Sequence, residues 1–389
     1  MRYDYLIVGA GIIGMTIAYE LKRRNQDISI AIIDKENDTA FHASGRNSGV
    51  LHAGFYYSAD SLKAKLTAKG NRLMKRFCQQ NNIDVKETKK LVIAQNEEDL
   101  GMLYELEKRA KNNGVEAYII DKKQAETIEP NIYTYKKALF SPNTANVDPK
   151  QVCKALRRLL EDLHVDFFFN TKFENSTVRY SYLINCAGAY ADIIAKRFEL
   201  AKHYTMLPFK GIYLKYMTND TAIRTNIYPV PNINNPFLGV HFTVTYDGSI
   251  KIGPTAIPAF WRENYNGFER FNLIEMGNIL YYEAKLFALN SFNFRSLAIE
   301  EMKNYKKEHF IAKAQRMVKQ IDNNFKPLPA GIRAQLLNTK TNELVQDFVI
   351  EHTHNSTHIL NAVSPAFTAS FAFAEYVVKQ IQLNKGKKI

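Results

Sequence analysis

At the start of the chain, a nearly continuous apolar run is followed by apolar residues at helical spacing. Residues 3–8 are almost continuously apolar, as in a buried strand, and residues 12–24 carry apolar side chains at helical spacing. Between them lies Gly9-Ala10-Gly11-Ile12-Ile13-Gly14, and a second apolar run, residues 28–33, ends in Asp34. This order predicts a strand, a tight turn, a helix and a second strand.

The rest of the chain alternates helical and strand patterns before it changes character. Apolar and polar positions alternate between residues 207 and 260, which predicts an antiparallel sheet, and residues 271–325 are mostly helical in pattern. The other predicted helices cover residues 61–81, 97–112, 149–163 and the end of the chain, and the other predicted strands cover 89–94, 116–120, 182–185 and 358–361.

These elements predict an α/β fold with mixed α+β character. A Rossmann-like nucleotide-binding domain would hold an inserted antiparallel-sheet domain that also contains the helical segment. The nucleotide-binding domain is predicted from residues 1–80, 146–200 and 328–389, and the inserted substrate domain from 81–145 and 201–327.

The glycine-rich turn indicates a dinucleotide site. Gly9 suits a tight turn, Gly11 allows a pyrophosphate to approach the backbone, and Gly14 allows the helix to pack closely on the strand. Asp34, with Lys35 beside it, ends the second strand, where an acid accepts hydrogen bonds from ribose hydroxyls. A glycine turn without a ligand is the alternative.

Two further segments fit the same ligand. Residues 41–57 are too rich in glycine and small polar residues for a regular element, and their backbone donors and cation suit a phosphate and a ring edge; a plain surface loop is the alternative. A second turn of small residues follows the strand 182–185. The predicted ligand-binding residues of these two segments are Ser44, Arg46, Asn47, Ser48, Ala187 and Gly188.

Composition narrows the function classes. The net charge is +13, which fits solvated lysines, attraction to anionic lipid or nucleic acid, or an acidic substrate. No RNA-binding signature is present, so a nucleic-acid partner is not expected.

Three cysteines without metal-ligand spacing predict reduced thiols and no metal site. No apolar run is long enough to span a bilayer, so we expect a cytoplasmic protein, with peripheral contact at the inner face of the membrane left open.

Several further segments carry a resemblance to known proteins in family order: residues 42–57, 61–66, 184–192, 228–231, 236–243, 253–254, 329–335 and 361–370. With the glycine turn, they make the chain resemble the D-amino-acid oxidase superfamily of FAD-dependent oxidoreductases. Within that superfamily, the sequence is most similar to the L-2-hydroxyglutarate dehydrogenase/oxidase family. The chain departs from that family's pattern at Arg46, Ile212, Leu360 and Val363.

The resemblance implies oxidation of L-2-hydroxyglutarate to 2-oxoglutarate by hydride transfer to FAD, with electrons passed to quinone or oxygen. Such a site needs a base, and His52 and His241 are the candidates. Arg333 is the best cation for a substrate carboxylate, because a guanidinium can bind it with two hydrogen bonds. Other predicted substrate contacts are Lys63, Lys65, Lys210, Tyr57 and Tyr228, and Gly331, Ser364, Pro365 and Thr368 are expected at the flavin.

Other functions remain open at this point. A superfamily member could act on an amine or on glycerol 3-phosphate, and a non-catalytic basic flavoprotein could bind RNA or a membrane. The segment 271–325 mixes aromatic residues with lysines, which predicts a surface that attaches to the membrane; packing of these aromatics under the substrate sheet is the alternative.

Overall fold

The computed structural model describes residues 2–219, 221–231 and 237–386. Pro236, the first residue of one segment that carries the resemblance, lies outside the described residues. The strands are β1 (Arg2–Val8), β2 (Ile30–Ile33), β3 (Val50–Leu51), β4 (Lys90–Ile93), β5 (Tyr118–Asp121), β6 (Lys137–Ser141), β7 (Ala145–Asn146), β8 (Val165–Phe168), β9 (Arg179–Asn185), β10 (Tyr204–Gly211), β11 (Leu214–Tyr216), β12 (Asn226–Pro229), β13 (His241–Val244), β14 (Ile250–Gly253), β15 (Ile257–Pro258), β16 (Phe325–Pro327), β17 (Gly331–Asn338), β18 (Glu343–Leu344), β19 (Ile350–His352) and β20 (Ser356–Ile359).

The predicted helices are present, with the segment 271–325 divided into three. Ser61 caps α2 by accepting a hydrogen bond from the Ala64 amide, and Asp148 caps α5, whose first residue is a proline. The helices are α1 (Ile12–Arg24), α2 (Leu62–Gln80), α3 (Glu98–Asn112), α4 (Lys122–Ile128), α5 (Pro149–Asp162), α6 (Ala191–Lys196), α7 (Leu273–Leu289), α8 (Phe294–Lys303), α9 (Lys307–Gln315) and α10 (Ala366–Gly386).

The first and last parts of the chain build a parallel sheet in the order β19-β20-β9-β1-β2-β8, in which only β19 runs antiparallel to its neighbour. Helices α1, α2, α5 and α10 pack against it around one large apolar core. Gly70 lets α10 approach α2 closely, because a β-carbon there would lie 2.5 Å from the Cα of Ala369. The mixed α/β class predicted from the sequence is confirmed.

The inserted region forms a second sheet in the order β16-β11-β14-β13-β12-β4-β6-β5. Most neighbours in it are antiparallel, as predicted, but β12 and β4 are parallel. That junction joins the two stretches of the inserted domain, because β4 comes from the first and β12 from the second. A smaller sheet, β15-β10-β17-β18, pairs β10 with β17 across the predicted boundary at residue 328.

Candidate active site

A cavity of about 1320 Å³ is lined by residues from each of the four sheets that the described residues form, including Val50 of the short β3-β7 pair. The glycine turn after β1, the loop 41–58, the second turn at 186–190 and the start of α10 line it, together with strands β12, β13 and β17. Pockets for drug-sized ligands have volumes of roughly 300–1,000 Å³. The larger volume leaves room for a dinucleotide together with a small substrate.

The glycine turn is held in place by its packing and by Asp34. A β-carbon on Gly9, whose φ is +109°, would lie 2.4 Å from the Cys186 carbonyl oxygen, and one on Gly14 would lie 2.1 Å from the Gly9 oxygen. The Asp34 carboxylate accepts hydrogen bonds from the amides of Ala10 (2.8 Å) and Glu36 (2.9 Å). Asp34 therefore shapes the turn, and its remaining lone pairs face the cavity.

Gly11 leaves the N-terminus of α1 open to a ligand. A β-carbon on Gly11 would meet only the Ser44 hydroxyl, at 3.0 Å, and that hydroxyl accepts a hydrogen bond from the Ile12 amide (2.9 Å). The first turn of α1 contains no acidic side chain. Because a helix N-terminus favours negative charge, these residues fit the pyrophosphate of FAD.

The loop after β2 is fixed by its own side chains. Asn47 donates to the Ser44 carbonyl oxygen (2.7 Å) and accepts from the Gly49 amide (2.8 Å). Arg46 donates to the carbonyl oxygens of Phe41 and Ala330, and its guanidinium lies 4.2 Å from the centre of the Tyr265 ring. Arg46 thus ties the loop to Tyr265 and Ala330. Burial raises the pKa of Tyr213, and the nearby Ser48 opposes that shift.

Charged residues of two distant segments meet at the part of the cavity next to Asp34. Arg270 donates to Glu36 (2.5 and 2.8 Å) and Glu263 (2.7 Å). Lys35 also pairs with both acids, Glu36 and Glu263. Burial would raise the pKa of Glu36, but hydrogen bonds from Arg270 and Lys35 hold that pKa well below its usual range. These pairs engage Lys35 and close this part of the cavity with ionic contacts.

The C-terminal helix supplies another wall. Ser364, Pro365 and Thr368 line the cavity with Gly331, Ala187 and Gly188. The Thr368 hydroxyl donates to the Val50 carbonyl oxygen and accepts from the His52 amide, both at 3.1 Å. The Thr368 side chain therefore fixes His52, directly after β3, in place. Burial raises the pKa of Tyr57, and the nearby Ser364 opposes that shift.

Both predicted histidines line the cavity, His241 buried and His52 half-buried. The Nδ1 atom of His241 lies 2.8 Å from the Gly239 carbonyl oxygen, so this nitrogen carries the proton and Nε2 keeps its lone pair. The imidazole stacks on the Tyr228 ring with 3.7 Å between centroids. Burial lowers the pKa of His241 to about 3, and burial also lowers the pKa of His52. Both rings are therefore neutral and able to accept a proton.

Two predicted cations approach the same part of the cavity. Arg333, on β17, is half-buried over the Phe237 ring at 4.8 Å, and it makes no ion pair within the described residues. Lys63 is buried in the first turn of α2, where burial lowers its pKa to about 8 despite the opposing charge of Asp347. Tyr57 lies close to both, since Lys63 is 5.9 Å from its ring and the charge of Arg333 acts on its hydroxyl.

The structure separates the other two predicted cations from the cavity, which corrects those assignments. Lys65 lies on the exposed side of α2, because residues two positions apart on a helix do not share a face. Lys210 pairs with Ile257 and Ile332 in the small sheet and is buried outside the cavity lining. Strand and helix geometry therefore leaves Lys63 as the lysine of this set that faces the site.

Sequence reasoning missed residues that position the site from far along the chain. Asp347 accepts hydrogen bonds from the amides of Leu62 (2.7 Å) and Lys63 (3.1 Å), and so fixes the start of α2. Glu263 and Arg270 were missed in the same way. No local sequence pattern predicts the Asp347 cap or the pair of Arg270 with Glu36, because each joins segments that are distant in sequence.

Comparison with known proteins agrees with this architecture. A family described as "FAD dependent oxidoreductase" matches residues 4–380. The mitochondrial L-2-hydroxyglutarate dehydrogenase of Nematostella vectensis is 34% identical, with 97% of this chain and 90% of that protein covered. The L-2-hydroxyglutarate dehydrogenase of Escherichia coli strain K12 is 32% identical, with 98% and 93% covered. Among solved structures, the L-alpha-glycerophosphate oxidase of Mycoplasma pneumoniae with FAD bound has a TM-score of 0.76 at 22% identity, covering 98% of this chain and 95% of that one.

Proposed function

The chain belongs to the FAD-dependent oxidoreductase family, and on that premise we propose that it oxidises L-2-hydroxyglutarate to 2-oxoglutarate. Its cofactor is FAD. The observation that carries the substrate assignment is the presence of two cations, the buried Lys63 and the half-buried Arg333, with two neutral histidines in one cavity. A dicarboxylate needs two cationic contacts, and its hydroxyl needs a base.

Each residue has a distinct part in the proposed reaction. Arg333 binds one carboxylate of the substrate through its planar fork, and Lys63, held by Asp347 at the start of α2, attracts the other. His241 accepts the hydroxyl proton at Nε2 while Nδ1 remains bonded to the Gly239 carbonyl oxygen. Bound FAD supplies the acceptor for the hydride that leaves the substrate C2 carbon. Tyr57 and Tyr228 shield the reacting carbon from water.

Substrate-dependent bleaching of the flavin tests this proposal. Under anaerobic conditions, L-2-hydroxyglutarate is expected to bleach the flavin absorbance, because oxidation of the substrate must reduce the cofactor. The D-enantiomer, glycerol 3-phosphate and amino acids serve as controls and are expected to leave the absorbance unchanged. Faster bleaching by glycerol 3-phosphate or by an amine would overturn the substrate assignment. Re-oxidation by air or by a quinone analogue then identifies the electron acceptor.

We also propose that α7 and the residues before it attach the protein to an anionic membrane. Phe268 is 84% exposed and Ile274 is 78% exposed, and Phe271, Leu273, Leu280, Tyr281, Phe287 and Leu289 are exposed as well. Ile279, Leu286 and Phe294 pack inward, so the alternative of packing under the sheet accounts for only part of the segment. In the described part of the chain, every helix is too short or too polar to cross a bilayer. A surface contact of this kind suits a lipid-soluble acceptor such as quinone.

Vesicle sedimentation tests the attachment. The protein is expected to pellet with anionic vesicles at low salt and less with neutral vesicles, since each surface cation contributes about 1 kcal/mol near anionic lipid. Tyr281→Glu is expected to reduce pelleting several-fold, because it places a charge on the apolar surface. Tyr104→Glu is the matched control, since this tyrosine is exposed on α3. Equal pelleting of both variants, or no pelleting of the unaltered protein, would contradict the attachment.

A further inference from the structure

Lys90 is a buried lysine without a partner behind the two histidines. It lies on β4, is 0% exposed, and its ammonium has no hydrogen bond or ion pair within the described residues. Its Nζ atom lies 3.9 Å from the centre of the Tyr228 ring, 5.2 Å from that of Tyr56 and 5.8 Å from that of Phe55. An unpaired charge in the interior is costly, and aromatic faces offset only part of that cost. Such a group calls for a functional explanation.

Sheet geometry places Tyr228 between Lys90 and His241. Strand β12 lies between β4 and β13, with Asn226 paired to Lys90 and Ile227 paired to Phe242. Since alternate residues of a strand share a face, Lys90, Tyr228 and His241 lie on one face of the sheet. The Tyr228 ring then contacts the ammonium at 3.9 Å and the imidazole at 3.7 Å, with 18° between the two ring planes.

The groups that face this stack are mostly cationic or neutral. His52, from the loop after β3, feels the charge of Lys90, and Tyr56 from the same loop is buried beside it. Arg333 from β17 and Lys251 from β14 act on His241 as well. The negative charge of Asp247 acts on Lys251, and that of Glu301 acts on Arg333. The local field therefore opposes protonation of either histidine.

We propose that Lys90 is a positioning residue for proton abstraction, which holds the Tyr228–His241 stack in register and keeps His241 unprotonated, with its Nε2 atom available to the substrate hydroxyl. This inference rests on the proposed oxidation of L-2-hydroxyglutarate. Burial lowers the pKa of Lys90 to about 7. A substrate with two carboxylates raises that pKa again, because opposite charge nearby favours the ammonium form. Lys90 is therefore charged when the site is loaded.

The pH dependence of anaerobic flavin reduction tests the role of Lys90. Lys90→Met removes the charge and keeps much of the volume, and Lys90→Gln also removes the charge while it retains a polar end. Removal of a like charge raises the pKa of His241, so the acid limb of the rate profile is expected to move to higher pH. A shift of one pH unit lowers the rate about tenfold on the acid side and leaves the high-pH rate nearly unchanged.

Controls separate this role from simple packing. Lys22→Met removes another buried lysine, far from the histidines on α1, and is expected to leave the profile unchanged. Lys90→Arg keeps the charge and is expected to retain the acid limb of the unaltered protein. A loss of rate that is equal at every pH would overturn the proposal. If L-2-hydroxyglutarate does not bleach the flavin of the unaltered protein, the proposed function is wrong. If the unaltered protein is bleached normally but the acid limb of the Lys90 variants does not shift, only the role of Lys90 is wrong.

A direct measurement decides the case in which neither variant retains FAD. The imidazole resonances of His241 in the unaltered protein can be assigned through their loss in His241→Gln. A ring that takes up its proton at higher pH in Lys90→Met than in the unaltered protein supports the proposal, and equal titration of His241 in the two proteins overturns it.

Discussion

Replacement of His241 by glutamine is expected to slow flavin reduction by L-2-hydroxyglutarate by about 10²–10⁴-fold, the usual range for loss of a general base. The Gly239 carbonyl oxygen fixes the proton on Nδ1, and Nε2 is left as the acceptor. Glutamine fills a similar volume but cannot accept the proton. Stopped-flow absorbance at the flavin band measures the rate, and FAD content shows whether the site remains intact.

The second histidine provides the matched comparison. His52 lines the same cavity, but its Nδ1 atom has no hydrogen-bond partner within the described residues, so its tautomer is not fixed. His52→Gln is therefore expected to reduce the rate much less than His241→Gln. If His52→Gln causes the larger loss, the base is His52. A loss below about threefold in both variants would remove both residues from proton transfer.

Replacement of Arg333 by lysine is expected to weaken transition-state binding by about 2–5 kcal/mol, which corresponds to a loss of about 30- to 4,000-fold in kcat/KM. Lysine keeps the charge but cannot form two parallel hydrogen bonds with a carboxylate. FAD is expected to remain bound, because the glycine turn and the loop 41–58 hold the cofactor and Arg333 lies on β17 of the small sheet. Steady-state kinetics with an artificial acceptor measure the change.

Two further variants complete the Arg333 experiment. Arg333→Ala removes the charge as well and should lose at least as much activity as the lysine variant. Arg224→Lys makes the same exchange at an exposed arginine and is expected to keep normal kinetics. If both Arg333 variants behave like Arg224→Lys, Arg333 does not bind the substrate.

The sequence predicted local features of the fold better than contacts between distant segments. The glycine turn, the helix α2 and the strand β13 follow from spacing and composition alone, since short-range periodicity determines them. The parallel junction of β4 with β12 depends on how two separate stretches pack, and no local pattern encodes it.

The lack of a local pattern also explains the errors and omissions in the predicted set of site residues. Lys63 and Lys65 are equivalent by composition, and only the orientation of α2 distinguishes the buried residue from the exposed one. Lys90 stands before an apolar run and next to another lysine, so nothing in the sequence separates it from a solvated surface charge. Its isolation is visible only when the rings of Tyr56 and Tyr228 are placed around it.

The parallel sheet has a consequence for the order in which the fold assembles. Strand β1 lies inside the sheet, yet its neighbour β9 ends at residue 185, and β20 and α10 cover residues 356–359 and 366–386. Contacts of this sequence separation form late, because the intervening loop must close before they give any stabilisation. The wall of the cavity that α10 supplies is therefore complete only after α10 has docked against α1 and α2.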